Sequence, residues 1–146
     1  EGRIKMNDSE KFQGFKEKLI YDNEKLYGEE IRNKYGNDVV DKSNNRLKNM
    51  TQKEYEEVTK LEGEILETLD KAYRTGDASG ELAQKAAGMH ARWISFYWGN
   101  YSKKAHASLA KMYVEDSRFK AYYDRKQPGT AEFLREAVLI YTGIKE

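Results

Sequence analysis

Glycines and helix-capping residues divide this sequence into segments in which apolar residues recur at helical spacing. The longest segment begins after Thr51, which forms a capping-box pattern with Glu54, and Gly76 closes it. Its predicted inward side consists of Tyr55, Val58, Ile65, Leu69 and Ala72. Pro128 is the only proline, and no run of β-branched residues alternates with polar ones. The spacing therefore predicts an all-α fold of six to eight helices.

The sequence before this helix carries similar signals. Residues 23–35 are predicted to form a helix closed by Gly36. The predicted inward side of that helix consists of Leu26, Tyr27, Ile31 and Tyr35. Ser9 is the expected cap of a shorter helix, and the Asn-rich residues 38–49 carry a weaker signal. We therefore expect a lead-in segment at residues 1–22, followed by a single all-α domain at residues 23–146.

The sequence after the long helix predicts four more helices. Residues 81–98 form the first, which Gly99 ends. Its predicted inward side consists of Leu82, Ala86, Met89, Trp93 and Tyr97. Ser102 is the predicted cap of a helix that runs to residue 114, and Ser117 caps a short helix at residues 118–126. Thr130 is predicted to begin the last helix, which ends at residue 143.

Composition excludes several classes of function. The chain has no cysteine, which excludes disulfides, thiolate metal sites and a thiol nucleophile. No phosphate-binding glycine motif and no helical pair of metal-binding histidines is present. No apolar run reaches about 18 residues, and the net charge is only +1. We therefore expect no catalytic residues, no metal, no cofactor, no membrane partner and no direct DNA contact.

Aromatic residues concentrate in the second half of the chain. Both tryptophans lie between His90 and Tyr101, and there are eleven tyrosines in all. Tyrosine and tryptophan offer a broad apolar face with one hydrogen-bonding tip, which suits an amphipathic organic ligand. For any single tyrosine, core packing is the better interpretation. For the group, the pattern favours a ligand pocket.

The two histidines, His90 and His106, allow two interpretations. Each lies on a helix beside apolar residues, a position typical of a half-buried, hydrogen-bonded side chain. The alternative is the proximal ligand of a haem, since the predicted number of helices suits a globin.

Several strings of this sequence resemble the TipA-type antibiotic-recognition domain family. They include Tyr27 to Gly36, His90 to Trp93, His106 to Leu109, Met112 to Phe119 and Phe133 to Val138. Together they extend from about Tyr27 to Tyr141, and the string from Met112 to Phe119 is the most specific of them.

This resemblance implies a globin-like bundle without haem that binds drugs in an aromatic cleft. In the family, the domain forms the C-terminal half of MerR-type activators of the multidrug transport type. DNA contact is then expected only through a separate domain outside this chain, with the full-length protein a cytoplasmic homodimer. The expected partner is a small hydrophobic or amphipathic drug. Its predicted ligand-binding residues are Trp93, Tyr97, Tyr101, His106, Tyr113 and Phe119.

One departure from the family affects the mode of binding. Thiopeptide-binding members capture the drug through a cysteine, and Tyr101 stands at about that position here. Because this chain lacks cysteine, capture of that kind is excluded and any ligand is expected to bind reversibly.

Three hypotheses follow. The first is a ligand-sensing effector domain in which residues 38–49 become ordered on binding. The second is a protein-interaction module whose aromatic groove takes a partner helix. The third is the haem binder.

Overall fold

The computed structural model describes residues 8–98 and 101–145, and every regular element in these ranges is helical. The elements are α1 (Asp8–Asn23), a π turn (Glu24–Gly28), α2 (Glu29–Tyr35), α3 (Asn37–Asn49), α4 (Gln52–Thr75), α5 (Glu81–Tyr97), α6 (Lys103–Glu115), α7 (Ser117–Tyr123) and α8 (Thr130–Thr142). When α1, the π turn and α2 are counted as one continuous stretch, the described residues form seven helices. The predicted all-α class is confirmed. None of these helices is both long and apolar enough to cross a membrane.

The described chain divides into two compact units. The first contains the residues up to 57 together with 96–98, and the second contains 58–95 and 101–145. The proposed boundary between residues 22 and 23 falls within the continuous helical stretch of α1, the π turn and α2. The division into a lead-in segment and one domain therefore stays a prediction.

Most of the predicted helix ends are confirmed. The Thr51 hydroxyl accepts a hydrogen bond from the Glu54 amide at 3.1 Å, and the Thr51 amide donates to the Glu54 carboxylate at 3.3 Å. These two bonds are the predicted capping box. Ser102 caps α6 by accepting from the amide of Ala105 at 3.2 Å. Gly76 follows α4 with a φ of +71°, a left-handed conformation that glycine adopts without a steric penalty. The predicted stop at Gly99 lies outside the described residues.

The prediction that Ser117 caps α7 is wrong. The cap is Asp116, whose carboxylate accepts from the amide of Arg118 at 2.9 Å and pairs with its guanidinium at 2.7 Å. The hydrogen bond from the Arg118 side chain lowers the pKa of Asp116 to about 2. The helix also ends at Tyr123, earlier than predicted, because the Asp124 carboxylate turns to accept from the Ala131 amide at the start of α8.

Two predicted inward faces are also wrong in detail. Leu26, which lies in the π turn, is 64% exposed. On α5, Met89, Trp93 and Tyr97 are only half-buried. The fully buried residues of that helix are Ala83, Ala86, Ala87, His90, Ala91 and Ile94. Small side chains allow neighbouring helices to approach closely, so the alanine side becomes the inward side.

An ion-pair network connects the π turn to α2 and α3 in the first unit. The Arg32 guanidinium pairs with the Glu24 carboxylate and, at 2.8 Å, with Asp41. Asn44 donates to the same Glu24 carboxylate at 2.9 Å. The hydrogen bond from Arg32 is the main cause of a lowered pKa at Glu24. A Cβ at Gly28 would collide with this carboxylate, so the position favours glycine.

The Asn-rich segment forms a regular helix, α3, whose C-terminal end is held by a buried lysine. Lys16 is only 2% exposed, and its ammonium donates to the carbonyl of Lys48 at 2.7 Å and to that of Met50 at 2.6 Å. A cation at this end of a helix satisfies carbonyls that lack an intrahelical partner. We expect the Lys16→Met variant to lower the free energy of unfolding by about 1–3 kcal/mol, because both carbonyls lose a charged donor.

Urea denaturation measures this loss, and the exposed Lys18 provides the control, since Lys18→Met makes the same chemical change on the same helix. Equal stabilities of the two variants would show that the Lys16 ammonium contributes nothing to α3.

The core of the second unit is formed by α4, α5, α6 and α8. Its fully buried residues include Leu69, Ala72, Ala83, Ala86, Ala87, Ala110, Leu134, Ala137 and Val138. Tyr113 is buried in the same cluster, and Phe119 and Tyr123 pack against it. The aromatic residues of this unit are therefore built directly onto its core.

Candidate functional site

A chain of hydrogen bonds passes through the interior of the second unit. The Tyr101 hydroxyl, just before α6, lies 2.6 Å from Nδ1 of His106. Nε2 of His106 lies 2.8 Å from Nδ1 of His90 on α5. Nε2 of His90 lies 3.2 Å from the hydroxyl of Tyr113, near the end of α6. Two facing helices thus place both histidines and two tyrosines in one series.

Beyond Tyr113, the series of hydrogen bonds continues to Tyr123 on α7. The two phenol side chains are hydrogen-bonded, and their ring centroids are 4.7 Å apart. Burial, followed by the neighbouring Tyr113, raises the pKa of Tyr123 well above its usual value. The full series is therefore Tyr101, His106, His90, Tyr113 and Tyr123, which we call the Tyr–His chain.

Both histidines of the Tyr–His chain are neutral near pH 7. His90 is 1% exposed and His106 is fully buried. Desolvation by burial lowers the pKa of His90 to about 3, with a smaller contribution from His106. The same desolvation lowers the pKa of His106 to about 4. Burial and the neighbouring Tyr141 phenol raise the pKa of Tyr101, so its hydroxyl also keeps its proton.

Five of the six predicted site residues lie in or against the Tyr–His chain. Tyr101, His106 and Tyr113 are members of it. Trp93 stacks on the His90 ring with centroids 5.7 Å apart, and Phe119 packs on Tyr113 at 5.5 Å. The sixth residue, Tyr97, is the half-buried last residue of α5 and belongs to the first unit.

Burial separates these residues into two groups. His106 and Tyr113 are almost fully buried, at 0% and 3% exposure. Trp93, Tyr101 and Phe119 are half-buried and present part of their surface to solvent. Solvent therefore reaches the second group but not the first.

The sequence prediction missed His90 and Tyr123 as members of this site. The predicted hydrogen bonding of both histidines is confirmed, but the prediction that they are half-buried is wrong, because both are buried. A signal was present: His90 lies on the alanine side of α5, at helical spacing from Ala83 and Ala87. A histidine on a side of small apolar residues requires a buried polar partner, and His106 supplies it.

The arrangement leaves the histidines little capacity for metal binding. All four ring nitrogens of His90 and His106 lie within hydrogen-bond distance of another ring or a hydroxyl. A haem iron would have to displace one of these bonds. In residues 8–98 and 101–145, no three side chains of the metal-binding types come together.

A depression on the surface of the second unit lies beside the inner end of the Tyr–His chain. It has a volume of about 40 Å³ and is partly open to solvent. It is lined by Leu66, Leu69, Asp70, Tyr122, Tyr123, Arg125, Lys126 and Thr130. The Tyr122 hydroxyl donates to the Glu62 carboxylate at 2.6 Å, and the Arg125 guanidinium lies 4.6 Å from the centroid of the Tyr122 ring. This volume is far smaller than that of a pocket for a drug-sized ligand, which is roughly 300–1,000 Å³.

Comparison with solved structures gives a similar fold for nearly the whole chain. TipAS from Streptomyces lividans, in complex with the thiopeptide antibiotic nosiheptide, is similar with a TM-score of 0.70. The two chains are 26% identical, and 97% of each is covered.

Comparison of the sequence identifies related regulators. The chain is 25% identical over its whole length to the HTH-type transcriptional activator mta of Bacillus subtilis, of which it covers 56%. It is 28% identical over 93% of its length to the HTH-type transcriptional activator TipA of Streptomyces coelicolor, of which it covers 53%. The chain thus spans about half the length of these activators.

The family match begins and ends at the residues that the sequence strings predicted. Residues 27–141, most of the chain, match the TipAS antibiotic-recognition domain. The predicted resemblance is therefore confirmed: this chain belongs to the TipAS antibiotic-recognition domain family.

Proposed function

We propose that this chain is the ligand-sensing effector domain of a transcriptional activator and that it binds an amphipathic antibiotic or similar drug reversibly. The observation that carries this proposal is the similarity, over 97% of the chain, to a TipAS domain in complex with nosiheptide. The half-buried aromatic residues around the Tyr–His chain supply the apolar and polar surface that such a ligand requires.

The proposed contacts are Trp93, Tyr101 and Phe119, which are half-buried, and Tyr97 on the basis of the sequence pattern. His106 and Tyr113 would not touch the ligand in this conformation. They would fix the position of the Tyr101 hydroxyl and of the Phe119 ring from behind. This role differs from the direct contact expected from sequence.

Reversible binding is proposed from the composition of the chain. Without cysteine, no thiol can attack an electron-poor double bond of a thiopeptide. A tyrosine whose pKa is raised is a weaker source of phenolate, so Tyr101 does not replace the thiol as a nucleophile. Affinity would then depend on apolar burial and a small number of hydrogen bonds.

We further propose a globin-like arrangement of the helices without haem, and a role as the C-terminal half of a MerR-type regulator. DNA would be bound by a separate domain, the full-length regulator would be a homodimer, and it would act in the cytoplasm. The domain itself would have no catalytic role. Its output would be a shift between conformations that differ in affinity for the ligand. Residues 38–49, which form the helix α3 in this structure, are the segment that we propose to become more rigid on binding.

A titration tests the proposed binding. A panel of amphipathic antibiotics that includes nosiheptide is added to the chain, and tryptophan fluorescence and isothermal titration calorimetry are recorded. We expect saturable binding by at least one compound, with reduced amide hydrogen exchange in α3. A panel without any binding would contradict the proposal, and binding of a partner helix instead would favour the interaction module.

A further inference from the structure

The Tyr–His chain has a property that a single buried hydroxyl lacks. Each of its five groups carries one exchangeable hydrogen, because both imidazoles are neutral near pH 7. Its three central groups, His106, His90 and Tyr113, are buried, whereas the terminal Tyr101 and Tyr123 are half-buried. An unpaired buried donor or acceptor is costly, so each of the four links should contain one hydrogen.

This requirement allows only two arrangements of the hydrogens. If Tyr101 donates to His106, both histidines carry their hydrogen on Nε2 and donate toward Tyr113. If His106 donates to Tyr101, both histidines carry it on Nδ1 and every bond points the other way. The two rings must therefore be in the same tautomer, and they change tautomer together.

Each arrangement assigns the outer hydroxyl a different role. In the first, the Tyr101 hydrogen is used within the chain, so its oxygen can only accept from a ligand. In the second, the Tyr101 oxygen accepts from His106 and its hydrogen is available to a ligand. At the inner end, Tyr123 lines the depression that is partly open to solvent, and we infer that water completes its hydrogen bonding in either arrangement.

We propose that Tyr101 is the polar specificity-determining residue of the ligand site and that the chain behind it lets its hydroxyl act either as donor or as acceptor. This inference rests on the proposed function, and it names the ligand class as neutral amphipathic molecules that carry a carbonyl, hydroxyl or N–H group. One site then accommodates ligands of opposite hydrogen-bonding type without moving a side chain.

The electrostatic surroundings favour neutral ligands. The pKa shifts of Tyr101 and the two histidines arise from burial and from other uncharged rings. Tyr141, whose ring lies 6.2 Å from that of His106, also presents a phenol. A charged group bound against Tyr101 would lose its hydration without gaining an ion-pair partner from these side chains.

The free protein supplies the first test. Nitrogen-15 NMR of the side chains identifies which ring nitrogen of each histidine carries the hydrogen, and the chain contains only these two histidines. We expect His90 and His106 to show the same tautomer, or the same mixture of the two. Opposite tautomers would overturn the proposal.

The second test uses three neutral probes of similar shape: 4-acetylbiphenyl, which only accepts, 2-phenylindole, which donates, and biphenyl, which does neither. We expect both polar probes to bind the wild-type chain more tightly than biphenyl does. Tyr101→Phe should weaken both polar probes about tenfold and leave biphenyl unchanged. Tyr21→Phe removes a hydroxyl from a tyrosine that is 65% exposed, and it should change none of the three Kd values.

A third variant tests the role of the Tyr–His chain beyond Tyr101. Tyr113→Phe leaves Tyr101 in place but removes the partner of His90 Nε2. This nitrogen becomes an unpaired donor in the first arrangement and an unpaired acceptor in the second, and we expect the different costs of the two to shift the balance between the arrangements. We expect the ratio of the Kd values for the two polar probes to change about tenfold. A purely structural role would weaken all three probes equally and would overturn the proposal.

The remaining outcomes separate this inference from the proposed function. If the wild-type chain binds the probes and Tyr101→Phe binds them equally well, the role of Tyr101 is wrong and the ligand-sensing function stands. If neither the probes nor the antibiotic panel binds the wild-type chain, the proposed function is wrong and this inference fails with it.

Discussion

Replacing Leu134 with alanine is expected to lower the free energy of unfolding by about 3–5 kcal/mol, which is one of the largest effects of any single substitution in this chain. Leu134 is fully buried on α8. Most of its neighbours in the core cluster are alanines, which have no side-chain freedom with which to fill the space that the substitution leaves. A loss of this size is a large part of the stability of a typical domain. Guanidinium denaturation followed by circular dichroism measures it.

Leu26→Ala is the matched control, because it makes the same chemical change at a leucine that is 64% exposed. We expect it to change the free energy of unfolding by less than about 0.5 kcal/mol. Similar losses at the two leucines would contradict the burial described for α8 and for the π turn.

Acidification is expected to destabilise the folded chain across the range in which the unfolded histidines become protonated. Both folded-state pKa values lie below the ordinary value of 6.5, at about 3 for His90 and about 4 for His106. Below about pH 6.5 the unfolded chain therefore binds protons that the folded chain does not, and unfolding becomes more favourable. The contribution of the two neutral histidines to the free energy of unfolding is fully present above pH 6.5, and it is lost progressively as the pH falls toward the folded-state pKa values. The maximal slope is about 1.4 kcal/mol per pH unit for each histidine.

Urea denaturation at a series of pH values between about 7.5 and about 4.5 measures this slope. The carboxylates with lowered pKa values contribute mainly at lower pH, because their ordinary values are 3.8 for Asp116 and 4.5 for Glu24. A variant that carries His90→Gln and His106→Gln has no histidine and should lose the slope, and each single variant should keep about half of it. A wild-type stability that is constant from pH 7 to pH 5 would contradict the buried, neutral state of the pair.

The sequence predicted the class of fold well where local chemistry determines structure. The capping box of Thr51 and Glu54 and the cap at Ser102 depend on side chains three residues away from the groups that they satisfy. Such features can be recognised without knowledge of the tertiary structure. At the start of α7, both Asp116 and Ser117 are suitable capping residues. Asp116 is the cap, and it also pairs with Arg118.

The inward faces and the site were harder to predict, because they depend on contacts between distant segments. Large apolar residues on α5 suggested an inward side through Trp93, whereas close packing against other helices selected the alanine side that carries His90. The position of His90 on the alanine side of α5 indicated a buried polar partner, but His106 lies sixteen residues away and nothing local identified it as that partner. Five of the six predicted site residues lie in or against the Tyr–His chain, but the sequence did not show which of them are buried.

A titration with nosiheptide and the rest of the antibiotic panel is the most direct test of the proposed function. Nosiheptide is titrated into the chain by calorimetry, the sample is dialysed, and the intact mass of the protein is recorded. We expect saturable binding, recovery of the free protein on dialysis and an unchanged mass, since the chain has no thiol. A protein mass increased by that of the antibiotic would contradict reversible binding. The absence of heat and of fluorescence change with nosiheptide and with the rest of the panel would contradict ligand sensing itself.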